Sequence, residues 1–372
     1  MKNLVLCIAV FLLSFMFGND STPKSITASK NWPEQPLKGL NIGLVAYEKN
    51  NPEKKLFPDA STFEQLKKWN VNVVRCIIKT DIDSLWKGRN REAFPGLTNA
   101  NFIAFYKDHL RGLDSVIKYS SKNNISVILS AGDIIGRKKG GAQFELYFTK
   151  LWEFIAKHYN NTKSIIAYDV LNEPNTSFEN SVLTKNNYGV INAIRQYDKE
   201  TYIMIEPFPW GFAESFKNLN LINDAKIIYS IHFYEPHSYT HQGIKSYSDY
   251  KNLSYPGKLK NFKKSNEIEY NKKALESAIL EALNFQKKYN VKIFVGEFGV
   301  ARWAPGAENY IADLVELFEK YQWGWCYHSY ATYYNGFNPT YEPSYSATNG
   351  MDGKKETAML KALIKGWNTN AK

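Results

Sequence analysis

The 372-residue chain carries 47 Lys and Arg against 36 Asp and Glu, a net charge of +11, with 44% hydrophobic residues, enough for one large core or two modest ones. Three cysteines exclude a disulfide scaffold, and no Cys–His spacing suits a metal centre. The basic residues are mostly Lys and scattered, and the densest group, Lys251 to Lys273, also holds Glu267 and Glu269, so the charge reads as solvated surface and not as a nucleic-acid face.

Residues 1–20 open with Met1–Lys2–Asn3 and run on through "LVLCIAVFLLSFMFG", a positive start and an apolar stretch of signal-peptide kind, short of the ~20 residues a membrane span needs. An uncleaved anchor is the alternative, because no small-x-small pattern precedes Asn19. Residues 21–36 are polar and Pro-bearing and read as a linker, which leaves 37–372 as one domain.

From there strand-like and helix-like runs alternate. "LKGLNIGL" (37–44) precedes an amphipathic segment at 61–69, where Ser61 and Glu64 have capping-box spacing. "VNVVRCII" (71–78) precedes a long helix at 101–122, and "ISVILSAGD" (125–133) a helix near 143–159. Residues 165–172 are followed by a helix near 186–198, and "TYIMIEP" (201–207) by a short one near 211–218. "KIIYSIHFYEP" (226–236) leads through a long loop to a helix near 272–289. "VKIFVGEFG" (291–299) and "WGWCYHSY" (323–330) precede helices near 308–321 and 355–367. Apolar runs without alternation suit parallel strands buried on both faces. Eight strand–helix units in about 330 residues predict an α/β fold, a single (β/α)8 TIM barrel. The competing doubly wound sheet lacks its Gly-rich phosphate loop after the first strand.

The C-terminal strand ends of such a barrel build its active face, and there the sequence collects Arg75, Asp133, Asn172, Glu173, Glu206, His232, Tyr234 and Glu297. Carboxylates are seldom buried without partners. Glu173, closing "IIAYDVLNEPN", and Glu297, closing "VKIFVGEFG", end the fourth and seventh strands and face each other across the mouth. Two such groups can cleave an acetal, one protonating the leaving oxygen while the other attacks or orients water. Arg75 or Tyr234 beside one carboxylate would keep it ionised.

"LNEPN", "HFYEPHSYTHQG", "GEFG" and "WGWCY", in this order and at barrel spacing, resemble glycoside hydrolase family 5, the cellulase family of clan A, over residues 38–368. The resemblance implies that Glu173 is the acid/base and Glu297 the nucleophile. It implies that Asn172 binds the sugar 2-hydroxyl, Arg75 supports the nucleophile's charge, and His232 and Tyr234 line the −1 subsite. It further implies that Trp325 stacks beneath the sugar and that the peptide bond after it is cis. Many family members carry a histidine at the end of the third strand, where this chain has Ala131, Gly132 and Asp133.

The reading is therefore a secreted or periplasmic, cofactor-free and metal-free retaining β-glycosidase acting on a polysaccharide or oligosaccharide, foremost an endo-β-1,4-glucanase. It is a monomer with no obligate protein partner and no nucleic-acid ligand. The alternatives are a β-mannanase, a β-1,3-glucan hydrolase, or a glycan-binding barrel without activity. Glu206 and Trp210 could form a leaving-group subsite; His237 and His241, four apart in a loop, are a poor metal pair without a third ligand. Cys76 and Cys326 are expected as free thiols. Alternation from Arg75 and Trp325 turns both outward, on strands too far apart to be bridged.

Overall fold

The computed structural model describes residues 32–48, 51–81, 103–104, 106–135, 141–174, 187–260, 267–330, 336–341 and 356–369. The leader at 1–20 and most of the 21–36 linker lie outside the described residues. Eight parallel strands close a barrel: β1 (Lys38–Ile42), β4 (Val73–Asp81), β5 (Ser126–Ile135), β6 (Ile165–Asp169), β7 (Tyr202–Ile205), β8 (Ile227–Phe233), β11 (Ile293–Phe298) and β12 (Gly324–Tyr330). First and last meet, with Gly39 beside Cys326 on one side and Val73 on the other. Two antiparallel hairpins are additional to the barrel, β2 (Ala46–Glu48) with β3 (Asn51–Leu56) and β9 (Gly257–Lys260) with β10 (Glu267–Tyr270).

Helices α1 (Ala60–Lys68), α2 (Lys107–Asn123), α3 (Gly141–Tyr159), α4 (Asn187–Tyr197), α5 (His237–Thr240), α6 (Lys272–Ala278), α7 (Leu280–Tyr289), α8 (Ala307–Lys320) and α9 (Ala358–Asn368) are described, with a 3-10 turn at Ala213–Asn218. The expected capping box is displaced: Asp59, not Ser61, caps α1 and accepts the Thr62 N–H at 3.0 Å. The helix expected over 272–289 breaks at Ile279, which ends α6 and begins α7.

Period-two alternation assigns the strand faces. Val73, Ile128, Ala167, Tyr202, Met204, Ile228, Phe294 and Cys326 fill the barrel interior, while the intervening residues pack under the helices. Trp32 closes the floor, edge-on to Tyr202 at 5.1 Å and to Phe294 at 6.4 Å. At the same end Lys38 is buried and ion-paired to Glu319 at 2.7 Å, and its ammonium also donates to Thr369.

Two expectations for β12 are corrected here. Trp325 points outward and is fully buried, packing against Phe298 at 5.5 Å and Trp367 at 6.0 Å, with its indole N–H toward Glu319. Aromatic richness had no bearing on which face this residue takes; the inward positions of the strand are Cys326 and His328. The non-proline cis peptide bond lies at His328–Ser329, three residues beyond the expected place. Cys76 and Cys326 are both free, as expected, and buried, but they face opposite sides of the barrel wall, Cys76 outward as expected and Cys326 inward.

Candidate active site

Continued inward alternation carries polar groups to the mouth. Arg75 follows Val73, Ser130 follows Ile128, Asp169 follows Ala167, Glu206 follows Met204, and His232 follows Ser230 and Ile228. Strict alternation from Phe294 would turn Glu297 outward. The pairing of β11 slips on both sides between Val295 and the residues after Gly296, and this irregularity re-aims Glu297 into the mouth. Gly296 is needed there, because a Cβ would stand 2.7 Å from Ser230 Oγ and 2.9 Å from His232 Nε2.

Arg75 is the hub. Its guanidinium, fully buried, donates to Asp169 Oδ2 at 2.8 Å, Asn41 Oδ1 at 2.9 Å, Glu297 Oε1 at 2.8 Å, Asn172 Oδ1 at 2.7 Å and Glu206 Oε1 at 3.1 Å. Asn41 in turn donates to the Gly296 carbonyl at 2.8 Å, tying β1 to the bulge. Burial opposes the charge on Arg75, but Asp169, Glu297 and Glu206 outweigh it and hold the guanidinium protonated. One cation shared among these acids does not neutralise each of them. Burial and the neighbouring Glu206 push Asp169 up to about 7, despite its 2.6 Å ion pair with Arg75.

Removing this cation is expected to be costly. Breaking a buried pair by deleting one partner costs ~3–5 kcal/mol, so Arg75→Met should lower the unfolding free energy by about that much in urea titrations. The sign with pH follows from Asp169, whose folded pKa lies above its unfolded value of 3.8: stability is lost as pH rises through the folded value. Arg75 lowers Asp169, so without it the folded carboxyl is raised further, the variant goes on losing stability over a wider range than the wild type, and its deficit should be larger at pH 8 than at pH 5. An equal deficit at both would show that Asp169 keeps one charge state.

Glu297 receives Arg75 on Oε1 and the Tyr234 hydroxyl on Oε2 at 2.7 Å, with His328 Nδ1 3.5 Å from Oε2. Burial works against its charge, yet His328, His232, Arg75 and the Tyr234 hydrogen bond hold it well below the usual carboxylate range. Burial also lowers His328, which is neutral near pH 7, so Arg75, His232 and Tyr234 keep Glu297 ionised at that pH. Tyr234 itself is raised by burial and by Glu297, and stays a hydroxyl donor.

The strand ends at Asp169, three residues before the expected 172, and the chain then leaves the ladder while the Asn172 N–H still donates to Ala131 O at 2.8 Å. Glu173 takes a left-handed backbone, φ 49°, its N–H donating to Glu206 Oε2 at 2.8 Å and its Oε1 lying 2.9 Å from His232 Nδ1. Burial disfavours a charged His232, but Glu206, Glu297 and the contact with Glu173 raise it well above an ordinary histidine. Glu173, His232 and Glu297 each place one side-chain N or O atom within 4.8 Å of the others. That cluster includes an oxygen from each carboxylate, in a cleft of about 540 Å3 also lined by Trp210, Tyr234, His237 and His328. His232 Nδ1 is spent on Glu173, and the carboxylate oxygens are those that acetal chemistry uses.

Of the residues singled out in the sequence, Arg75, Asn172, Glu173, His232, Tyr234 and Glu297 converge, and Trp325 does not. Glu206, expected at a leaving-group subsite, is 1% exposed and lies behind the cleft, whereas Trp210 is 41% exposed and lines it. The Asp133 side chain lies outside the described residues; Gly132 faces Asn172 so closely that a Cβ would sit 2.5 Å from that residue's own. His237 and His241 stack face to face at 5.3 Å and 14°, so their ring lone pairs lie in separate, nearly parallel planes. Burial, together with His237 and His328, pushes His241 down to about 3, so it is a neutral ring. Asn41, Asp169 and His328 were not anticipated; an ionisable or amide residue inside an apolar strand was the available signal for the first two.

The family described as Cellulase (glycosyl hydrolase family 5) matches residues 34–333. Endoglucanase C of Acetivibrio thermocellus is 28% identical over 265 residues, 62% of this chain and 76% of that protein. The crystal structure of endoglucanase Cel5A from Thermotoga maritima superposes with a TM-score of 0.68 at 20% identity, covering 88% of this chain and 96% of the other. The cellulose synthase subunit Z of Clostridioides difficile does so with a TM-score of 0.67 at 22% identity, covering 89% and 100%.

Proposed function

The chain belongs to glycosyl hydrolase family 5 and is a glycoside hydrolase; on that premise we propose that it is a secreted, monomeric endo-β-1,4-glucanase in which Glu297 is the nucleophile and Glu173 the acid/base. The observation carrying this reading is the pair of carboxylates brought within 4.8 Å at their nearest oxygens, with unlike partners. Retaining enzymes hold the two carboxyl groups ~5–5.5 Å apart, and inverting ones ~6.5–9.5 Å apart, leaving room for a water.

Glu297, ionised and held on both oxygens by Arg75 and Tyr234, attacks the anomeric carbon while Glu173 gives its proton to the departing oxygen. Glu173 then takes a proton from the water that releases the sugar from Glu297. With its oxygen engaged by Arg75, Asn172 offers its amide N–H2 to the sugar 2-hydroxyl. Trp210 gives an exposed indole face to a sugar ring further along the cleft. The substrate comes from relatives named endoglucanases. Export is supported by the apolar run after Lys2; among the described residues no helix is long and apolar enough to cross a membrane.

The test is reducing-sugar release from purified β-1,4-glucan, β-1,4-mannan and β-1,3-glucan, with proton NMR of the first product. The expected result is fastest cleavage of β-1,4-glucan, a rapid fall in polymer length, and the β anomer appearing first. Preference for mannan would change the substrate and keep the mechanism. An α anomer first would remove the nucleophilic role of Glu297.

A further inference from the structure

We propose that Glu206 is a positioning residue for the acid/base carboxylate, fixing Glu173 from behind through that residue's backbone N–H and through His232. The proposal rests on the reading of Glu173 given above and assigns its orientation to a residue buried behind the cleft.

The two oxygens of Glu206 divide the work. Oε2 accepts the Glu173 N–H at 2.8 Å, at the residue whose φ of 49° is a conformation glutamate seldom adopts. Oε1 lies 3.1 Å from Arg75 Nη2 and 3.0 Å from His232 Nε2, the latter an ion-pair contact and not a well-aligned hydrogen bond. The other imidazole nitrogen reaches Glu173 Oε1 at 2.9 Å. Glu206 therefore meets Glu173 twice, once at the backbone and once through a ring to the reacting carboxylate. A tight turn makes room for it: Gly211 has φ 69°, a Cβ there would stand 3.0 Å from Oε2, and its carbonyl accepts the His232 N–H at 2.9 Å. The groups facing Glu206 are Arg75 from β4, Asp169 from β6 and His232 from β8; those facing His232 are Glu173, Glu206 and Glu297.

Glu173 loses its proton to the leaving oxygen in one step and regains one from water in the next. A group that sets its rotation and its imidazole contact acts on both steps, whereas the hydrogen bonds that hold Glu297 come from Arg75 Nη1 and the Tyr234 hydroxyl, which Glu206 does not touch. Glu206→Gln keeps the shape, keeps one acceptor for the N–H and removes the charge. With aryl β-cellobiosides, its kcat/KM should fall ~10–100-fold for poor leaving groups and within about twofold for 2,4-dinitrophenolate, which needs no proton. Azide, which needs no general base, should raise kcat on the dinitrophenyl substrate. If Glu206→Gln does not fold, Glu206→Asp, which keeps the charge and withdraws the oxygens, is measured the same way with the same expectation. Equal losses on both leaving groups without an azide response would mean a merely structural role and overturn the proposal. Glu173→Ala in the same assay separates the causes. Should it show leaving-group dependence and azide rescue while the Glu206 variant does not, only the role of Glu206 falls. Should Glu173→Ala show neither, the acid/base reading fails and this inference with it.

Discussion

Glu297→Ala is expected to abolish hydrolysis, by ~10⁴-fold or more, on every substrate whatever its leaving group, because no glycosyl-enzyme can form. The site makes this loss general. Arg75 and Tyr234 hold the carboxylate ionised and oriented at 2.8 and 2.7 Å, and among the carboxylates that Arg75 holds in the described residues, Asp169, Glu206 and Glu297, it is Glu297 that also takes the Tyr234 hydroxyl. The variant should still fold, since Arg75 keeps Asp169 and Glu206 as partners. Azide filling the vacated space should attack an activated substrate directly and give an α-glycosyl azide. Near-normal turnover of Glu297→Ala, in protein confirmed by mass spectrometry, is the result that sinks the assignment.

Glu173→Ala should behave differently. Hydrolysis of β-glucan should fall ~10²–10⁴-fold, the range general acid–base catalysis supplies. Dinitrophenyl cellobioside should still load the enzyme, giving a burst of phenolate equal to the enzyme present and then slow release. Azide should restore turnover and yield the β-glycosyl azide, because it attacks the glycosyl-enzyme from the face Glu173 served. An α-azide from this variant would mean that the two carboxylates have exchanged roles.

The barrel was legible in the sequence because parallel strands buried on both faces leave near-continuous apolar runs, and each was followed by a helical segment. Arg75, Glu206 and His232 were legible as polar residues at the ends of those apolar runs, and in the structure they continue the inward parity of Val73, Met204 and Ile228. Glu297 is instructive, since its place depends on a bulge that alternation does not foresee; the glycine before it and the acid at the strand end carried the reading. Trp325 failed because the stacking role that the resemblance implies fell on an outward residue of the strand. Anchored on the pairing of Gly39 with Cys326, the same strand puts Cys326 and His328 inside and the indole outside. The displaced cap at Asp59 and the break at Ile279 are local choices among near-equal neighbours, which spacing alone does not separate. Glu206 was noticed but misplaced, because a strand-end acid reads the same whether it faces a ligand or backs another residue.

The floor of the barrel has a bearing on how the enzyme can be held. Trp32 under the strands and Thr369 against Lys38 put the first and last of the described residues on the side away from Glu173 and Glu297. A tether leaving from residue 32 or residue 369, whether a surface linkage or a fused module, pulls on the underside and leaves the mouth turned outward. A polymer too large to diffuse could then be threaded past a fixed enzyme without the anchor standing in its path.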